Sequence, residues 1–507
     1  MRVIHTDAID PTDIRTQTER DWIYNGLDCA ITLEVWNIIS NHFDEHTAHT
    51  YAFSKALQGP VLEMKLRGCR VDMRQRQKVI DEFCDKMDFL ERNLERIALD
   101  GAGMERFNWR APKDLMELFY NRLQIPPIIR QGKPTTNRDA LEKLEAYIIA
   151  RQIVWHIQAL RELGKKIGFL RTGIDPDGRM RTSYNIAGTD TGRFSSSMSE
   201  FGTGTNLQNV EDSLRTVFVP DPGMKMAKFD AKSGESFLVG AIEWNLFKDG
   251  KYLDACETGD PHTAVAKICW SNLPWVGDLK KDKDIAEQPY YRHYTYRFMC
   301  KKLGHGSNYG GKAATLSQQA KLPLSVVEQF QPRYFKAFPA HLRWQAWVDD
   351  QLRKVGTLIS LTGRKRQFWG RRNDDKTLRA AIAFDPQGSL ADIVNQGMLN
   401  IYRKRNAAIG TNDPFQYVQI LFQDHDAVTV QYPEEIEDEV IPRLEKCLTF
   451  EMPIKHGRSL TIRYDAKVGW NKGEYHPKNN PQGLKEWHPG SETRTRAKEV
   501  HILDRVG

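Results

Sequence analysis

No stretch of this sequence approaches the roughly 18 consecutive apolar residues of a membrane-spanning helix, so no membrane partner is expected. The opening residues, MRVIHTDAID, lack the apolar core of a signal peptide. Cysteine is sparse: seven residues (29, 69, 84, 256, 269, 300 and 447), scattered, odd in number and without a CxxC pair. That excludes a disulfide framework and a thiolate zinc site, and it points to reduced thiols in a cytoplasmic compartment. No internal repeat is visible, which excludes solenoids and propellers. What is there is a globular composition over 507 residues, 40% hydrophobic and 27% charged. The 12 Trp, 17 Tyr and 22 Phe exclude disorder of the whole chain, because so much aromatic surface does not stay in water. The length predicts about three domains.

The net charge of +7 is weak evidence, but its distribution is uneven. Arg364, Lys365, Arg366, Arg371 and Arg372 are interleaved with Phe368 and Trp369. Arg292, Arg297, Lys301 and Lys302 stand among Tyr291, Tyr294, Tyr296 and Phe298. Such clusters suit phosphate contacts and base stacking. Taken alone they read as readily as solvated helix faces with core aromatics.

The first third reads as mostly helical. Helical spacing covers 21–45, 51–67 and 73–99, with CRVD at 69–72 a short strand or turn. Pro112 suits a first helical turn, Asn137 can cap the next helix, and one helix is expected over about 140–170. Residues 182–205 form a Ser/Thr/Gly-rich loop region. MKMAKFDA (224–231) reads as a strand and 235–247 as a helix. Residues 286–304 read as one helix, 357–368 as a hairpin turning at Thr362-Gly363, and 387–406 as a helix. FQYVQILFQDHDAVTVQYP (415–433) is the best hairpin, with its turn at Asp424-His425-Asp426. From Asn471 the chain is rich in Pro, Gly and charge, and an extended or partly disordered tail is expected.

Two acids stand at strand ends, Asp230 and Asp426. Two such carboxylates can hold a pair of divalent cations about 3.5–4 Å apart for in-line phosphoryl transfer. Mg²⁺ suits so few protein ligands, since substrate phosphates complete its shell. Two unrelated turn aspartates would read the same in isolation. Arg297 and Lys301 are four apart on a predicted helix, with His305 and Tyr309 following at the same spacing, a face able to grip a triphosphate and stack on a base.

The order of these and other blocks resembles family A DNA polymerases, the class of bacterial DNA polymerase I and many phage enzymes. TDTGRFSSS (189–197) followed by NLQN (206–209) resembles that family's TGRxSS…NLQN loop. FDAKSGES (229–236) resembles motif A, and GDPHT (259–263) the D-x-H-T segment. Arg297-x3-Lys301-x7-Tyr309-Gly310 resembles motif B, QGSLADI (387–393) the QGxAAD helix, and Gln423-x-His425-Asp426 motif C. LRGCRVD (66–72) and FNWRAPKDLMELF (107–119) resemble the thumb and its lead-in.

The resemblance implies an α/β right-hand polymerase fold with palm, fingers and thumb, mostly helical outside the palm sheet. Its expected boundaries are a 1–45 exonuclease-like remnant, thumb 46–172, palm 173–245 and 395–475, fingers 246–394, and a tail 476–507. It implies a DNA polymerase using two Mg²⁺ ions, with Mn²⁺ able to substitute, acting on primer-template DNA and dNTPs in a bacterial or phage-infected cell. Asp230, Asp426 and the main-chain carbonyl of Ala231 would be metal ligands. Arg297 and Lys301 would hold the triphosphate with help from His262. Glu235 would crowd a ribose 2′-OH, His305 would face the incoming sugar and base, and Tyr309 would stack near the templating base. Arg193, Gln387, His425, Asn206 and Gln208 would contact primer or template.

Several positions depart from the family pattern. Ala231 and Phe237 replace an aromatic and an Arg of motif A, and Ala427 replaces a third acid after motif C. His305 stands where Phe or Tyr is usual. Because an imidazole titrates near neutrality, nucleotide affinity is expected to depend on pH between about 6 and 7.5. Tyr24-x3-Asp28 resembles the last motif of the 3′–5′ exonuclease, without its other acids, so no proofreading is expected from this chain alone. The remnant reads as vestigial, as the cut end of a longer chain, or as a dock for a separate chain carrying the rest. The alternatives are a single-subunit RNA polymerase, against which Glu235 argues, and a non-catalytic DNA-binding subunit, against which the retained acids and cations argue.

Overall fold

A computed structural model describes residues 16–371 and 373–489. Arg372 of the basic cluster, residues 1–15 and the end of the tail lie outside the described residues. No helix among the described residues is long and apolar enough to cross a membrane. The chain forms two compact units: one of residues 1–58, 235–392 and 454–458, the other of residues 59–234, 393–453 and 459–507.

The second unit is built on a five-stranded antiparallel sheet. Its strand order is Gln419–Gln423, Ala427–Pro433, Met224–Ala231, Tyr464–Gly469 and Lys485–Glu486. In the central strand Ala227, Phe229 and Ala231 are buried, while Lys228 and Asp230 point to the other, less buried face. Helix Glu437–Leu448 buries Val440, Ile441, Leu444 and Leu448. A smaller core joins two long helices. Asp72 caps Met73–Ala102 by accepting from the N–H groups of Arg74 and Gln75, both at 2.9 Å. Its Leu90, Leu94 and Ala98 share a core with Ile153, Val154, Ile157 and Leu160 of Ile148–Leu170. Each buried Leu or Ile there contributes roughly 1.5–3 kcal/mol.

The first unit is helical. Helix Gly234–Phe247 follows the central strand in sequence, and Val239 and Ile242 enter a core with Tyr252, Trp270, Phe330, Tyr334 and Trp344. The hairpin Thr357–Ile359/Lys365–Gln367 turns at Gly363, whose φ of +86° favours glycine. The 34-residue helix Asp375–Ala408 runs from this unit into the other.

Three expectations need correction. Residues 286–304 are not one helix: PYYRHYT forms a hairpin, Pro289–Tyr291 with Tyr294–Thr295, through a left-handed Arg292 (φ +54°). Aromatic and β-branched residues favour that local choice. Thr295 then caps the following helix by accepting from the N–H of Phe298 at 3.0 Å. The helix expected over 140–170 is two, Arg138–Leu144 and Ile148–Leu170. The tail is not extended from Asn471. Asn471 and Asn480 pair through their amides at 2.8 and 3.0 Å, and Leu484 donates to the carbonyl of Gly473 at 2.7 Å. The polar composition there closes a folded loop.

Candidate active site

The two acids meet at one end of the central sheet. Asp230 is the next-to-last residue of strand Met224–Ala231, and Asp426 precedes strand Ala427–Pro433. The register pairs Ala427 with Asp230, and the N–H of Ala231 donates to the carbonyl of Asp426 at 3.0 Å. Lys228, two residues before Asp230 and on its face, lies 3.0 Å from that carboxylate. Asp426 is exposed. Even so, packing around its turn and the charge of Asp230 push its carboxyl above the ordinary range, against Lys228 and Arg193.

Two carboxylates near enough to repel, partly neutralised by one ammonium, gain from a divalent cation. Among the described residues no group of three or more His, Cys, Asp and Glu side chains could hold a metal. The donor set is two carboxylates, sparse enough to suit a divalent cation only when substrate phosphates complete the shell. The residues fit a divalent ion that arrives with a phosphate-bearing substrate. Asp465, the cross-strand partner of Asp230, brings a third carboxylate to this end of the sheet, 3.6 Å from Lys232. No motif marks it; only the register reveals it.

The turn carrying Asp426 is shaped from behind. His425 is left-handed, with φ +60°. Burial and Arg193 lower its imidazole pKa, and its Nδ1 is buried without a hydrogen-bond partner. Gln423 is fully buried and donates to Asn395 at 3.2 Å. Gln208 is 6% exposed and donates to both the side-chain and main-chain oxygens of Gln423, at 2.8 and 3.1 Å. It therefore holds the turn from behind. Asn206 likewise orders its own loop, accepting from Ser196 at 2.7 Å and from the N–H of Gln208 at 3.0 Å. Arg193 is half-buried.

In the other unit the cationic helix runs from Tyr296 to Asn308, with a π-turn over Cys300–Gly304. The extra residue in that turn means that spacing by four does not keep one strict face. Arg297 makes a forked pair with Asp260, its Nε 3.1 Å from one carboxylate oxygen and its Nη2 3.2 Å from the other. Asp260 also caps the helix bearing His262. Burial, with Arg297 and Lys301 nearby, depresses the His262 pKa to about 4, so this ring is neutral at physiological pH. Lys301 is exposed. Tyr309 donates its hydroxyl to Glu235 at 2.5 Å, and His305 Nε2 lies 3.5 Å from the same oxygen. A buried polar chain stands behind them. His341 binds Glu243 and lies 3.1 Å from the Tyr334 hydroxyl, which donates to Asn308 at 2.8 Å. Only a Glu at position 243, two helical turns after Glu235 in a hydrophobic helix, could have hinted at it.

Gln387 is half-buried between two acids that grip the 357–368 hairpin. Asp385 accepts from the N–H of Leu361 at 2.8 Å, and Asp392 accepts from Thr362 at 2.9 Å and from Arg364. Arg364 is thus spent on Asp392 and Lys365 on Asp44, while Arg366 lies over Phe368 and Phe384. That part of the basic cluster is structural. Trp369 is 85% exposed. Tyr24 and Asp28 are exposed on helix Gln17–Ile39.

The sequence model of DNA polymerase family A matches residues 74–474. DNA polymerase I of Geobacillus stearothermophilus is 25% identical over 425 residues, 79% of this chain and 44% of that protein. The Helicobacter pylori enzyme is 27% identical over 419 residues, covering 79% and 41%. The chain spans less than half the length of these relatives. Among solved structures, the polymerase domain of Pol1 from M. smegmatis, in complex with DNA primer-template and dNTP, aligns with a TM-score of 0.66 at 25% identity. The alignment covers 82% of this chain and 69% of that one.

Proposed function

The chain belongs to DNA polymerase family A, and from that premise we propose that it is a template-directed DNA polymerase extending a primer 3′-OH with deoxynucleotides. The observation that carries this reading is the meeting of Asp230 and Asp426 at one sheet end, where the repulsion between them calls for a cation. Family A polymerases use divalent metal ions; the finer proposal is two Mg²⁺, replaceable by Mn²⁺. Bound there, the ions would lower the pKa of the attacking hydroxyl and neutralise charge on the leaving pyrophosphate.

In the reaction the primer 3′-oxygen bonds to the α-phosphorus, the bond to pyrophosphate breaks, and the hydroxyl proton leaves to solvent. The protein's share is positioning and charge neutralisation. Asp230 and Asp426 would anchor the ions. Arg297 and Lys301 would hold the triphosphate, and neutral His262 would donate one hydrogen bond. Arg297 would have to share its guanidinium with Asp260. Glu235, held by Tyr309, would crowd a 2′-OH, which favours the deoxynucleotide reading over the RNA polymerase one. Arg193 and Gln387 would read minor-groove acceptors common to all correct pairs, and His425 would sit at the primer sugar. Sequence would come from the template. The enzyme would work in the cytoplasm of a bacterial or phage-infected cell.

A second part of the proposal concerns proofreading. Tyr24, Asp28, Ile31, Val35 and Ile38 form one exposed stripe at helical spacing on Gln17–Ile39. We propose that it receives an exonuclease-like chain whose site Asp28 completes. Ile31→Glu should then abolish co-purification of 3′–5′ exonuclease activity; activity that never co-purifies, even with the unaltered stripe, refutes the docking.

The decisive experiment is primer extension with Mg²⁺, deoxynucleotides and ribonucleotides in parallel, with Asp426→Ala as control. Extension by deoxynucleotides alone, lost in the variant, is the expected result. Efficient ribonucleotide extension would remove the role given to Glu235, and no extension would favour a binding subunit.

A further inference from the structure

Lys472 lies in the segment after the last long strand, where no motif was found. Its side chain is 3% exposed. Its Nζ lies 2.9 and 3.0 Å from the two carboxylate oxygens of Asp424 and 3.5 Å from the centre of the Phe422 ring. The N–H of Lys472 donates to the carbonyl of Phe218 at 2.9 Å, and the neighbouring Asn471–Asn480 pair stiffens its base. A lysine so deeply placed needs an opposite charge, and Asp424, whose side chain is 13% exposed, supplies it.

Asp424 is in turn the frame of the turn that carries Asp426. Its N–H donates to the carbonyl of Ala427 at 2.8 Å, and its own carbonyl accepts from the N–H of Asp426 at 2.7 Å. Between them His425 holds a left-handed backbone that a non-glycine residue adopts only when its surroundings impose it. Gln423 anchors the turn on one side through Gln208 and Asn395; Asp424 anchors it on the other through Lys472. Without the ammonium, the Asp424 carboxylate would turn toward water and take with it the carbonyl that fixes Asp426.

We propose that Lys472 is a positioning residue: through Asp424 it sets the direction of the Asp426 carboxylate, and with it the affinity of the site for a divalent ion. The inference rests on the polymerase reading above. Supporting groups of this kind act on metal affinity and on the chemical step without touching substrate.

The test uses the full chain with primer-template, Lys472→Met, and the double variant Asp424→Asn/Lys472→Met, which leaves no lone buried charge. Mn²⁺ binding is followed by electron paramagnetic resonance with a dideoxy-terminated primer and dNTP, and kcat and KM by extension of an ordinary primer. The expected result in both variants is a Mn²⁺ Kd raised about five-fold or more, a kcat lowered about ten-fold or more and recovered at high Mn²⁺, and a dNTP KM within about two-fold of the unaltered chain. A folded double variant with unchanged Mn²⁺ affinity and kcat overturns the proposal. Loss of fold in both variants also overturns it, by assigning the pair to stability alone. Failure of the polymerase reading looks different: the unaltered chain binds Mn²⁺ through Asp426 yet extends no primer.

Discussion

The hydroxyl of Tyr309 donates to the carboxylate of Glu235 at 2.5 Å, linking the end of the cationic helix to the helix that follows the central strand. Glu235 is thereby fixed in direction, and a fixed carboxylate can crowd a sugar hydroxyl where a swinging one would yield. Glu235→Ala should raise the ratio of ribonucleotide to deoxynucleotide kcat/KM about 10- to 100-fold, the scale of one lost steric or hydrogen-bonding contact. Tyr309→Phe, which frees the carboxylate without removing it, should move the ratio the same way by less. Single-turnover incorporation with matched nucleotide pairs measures both. An unchanged ratio in Glu235→Ala would sink the assignment.

Burial of its turn and the charge of Asp230 raise the cost of ionising Asp426, so charge removal and function should separate. Asp426→Asn should lower extension by about 10³-fold or more, while its melting temperature without metal equals or exceeds that of the unaltered chain. Divalent ion with nucleotide should raise the melting temperature of the unaltered chain and not of the variant. Thermal melts with and without chelator read both effects. A variant that loses activity and also unfolds early would mean that Asp426 holds the turn together.

The sequence made the sheet end legible because motif order and strand patterning agree there: MKMAKFDA is the observed strand residue for residue, and the 415–433 hairpin turns at Asp424–Asp426. It concealed whatever depends on pairing across long separations. Nothing local marks Lys472 as the partner of Asp424, or Asp465 as the neighbour of Asp230. The basic cluster stayed ambiguous for the same reason, since Asp44 and Asp392, which pair with Lys365 and Arg364, lie far away in the chain. The bond from Gln208 to Gln423 was hidden because a motif records that a residue is present and says nothing of where it points. The tyrosine-rich hairpin at 289–295 was missed because its aromatics also fit a helical spacing.

His262 and His305 stand near the same cations but differ in environment. The depressed pKa of His262, about 4, keeps it neutral throughout the range in which a polymerase works. His305, whose Nε2 lies 3.5 Å from Glu235, is therefore the histidine of this pair to test for an effect of pH on nucleotide affinity. The sign follows from charge: protonation adds a cation near the triphosphate, so affinity should tighten as pH falls. His305→Phe should flatten the profile, and His262→Asn should keep its slope. Nucleotide KM across that range decides it, and a slope surviving in His305→Phe would remove the assignment.

Asp385 bears on stability beside Gln387. Burial raises its carboxyl to about 6 although Leu361 and Ser389 both donate to it. Because the folded value lies above the ordinary 3.8, its favourable contribution is complete below that ordinary value and is lost as pH rises through about 6. Asp385→Asn resembles the protonated form at every pH. Its advantage over the unaltered chain should be near zero at about pH 4, grow to on the order of 1 kcal/mol by about pH 6.5, and then level off. Urea midpoints of the two proteins across that range give the difference directly, cancelling the other carboxylates. A constant difference would mean that Asp385 stays ionised and that the hairpin is held by charge-assisted bonds. A difference that grows as expected would show that the hairpin beside Gln387 is held under a strain of ionisation at neutral pH.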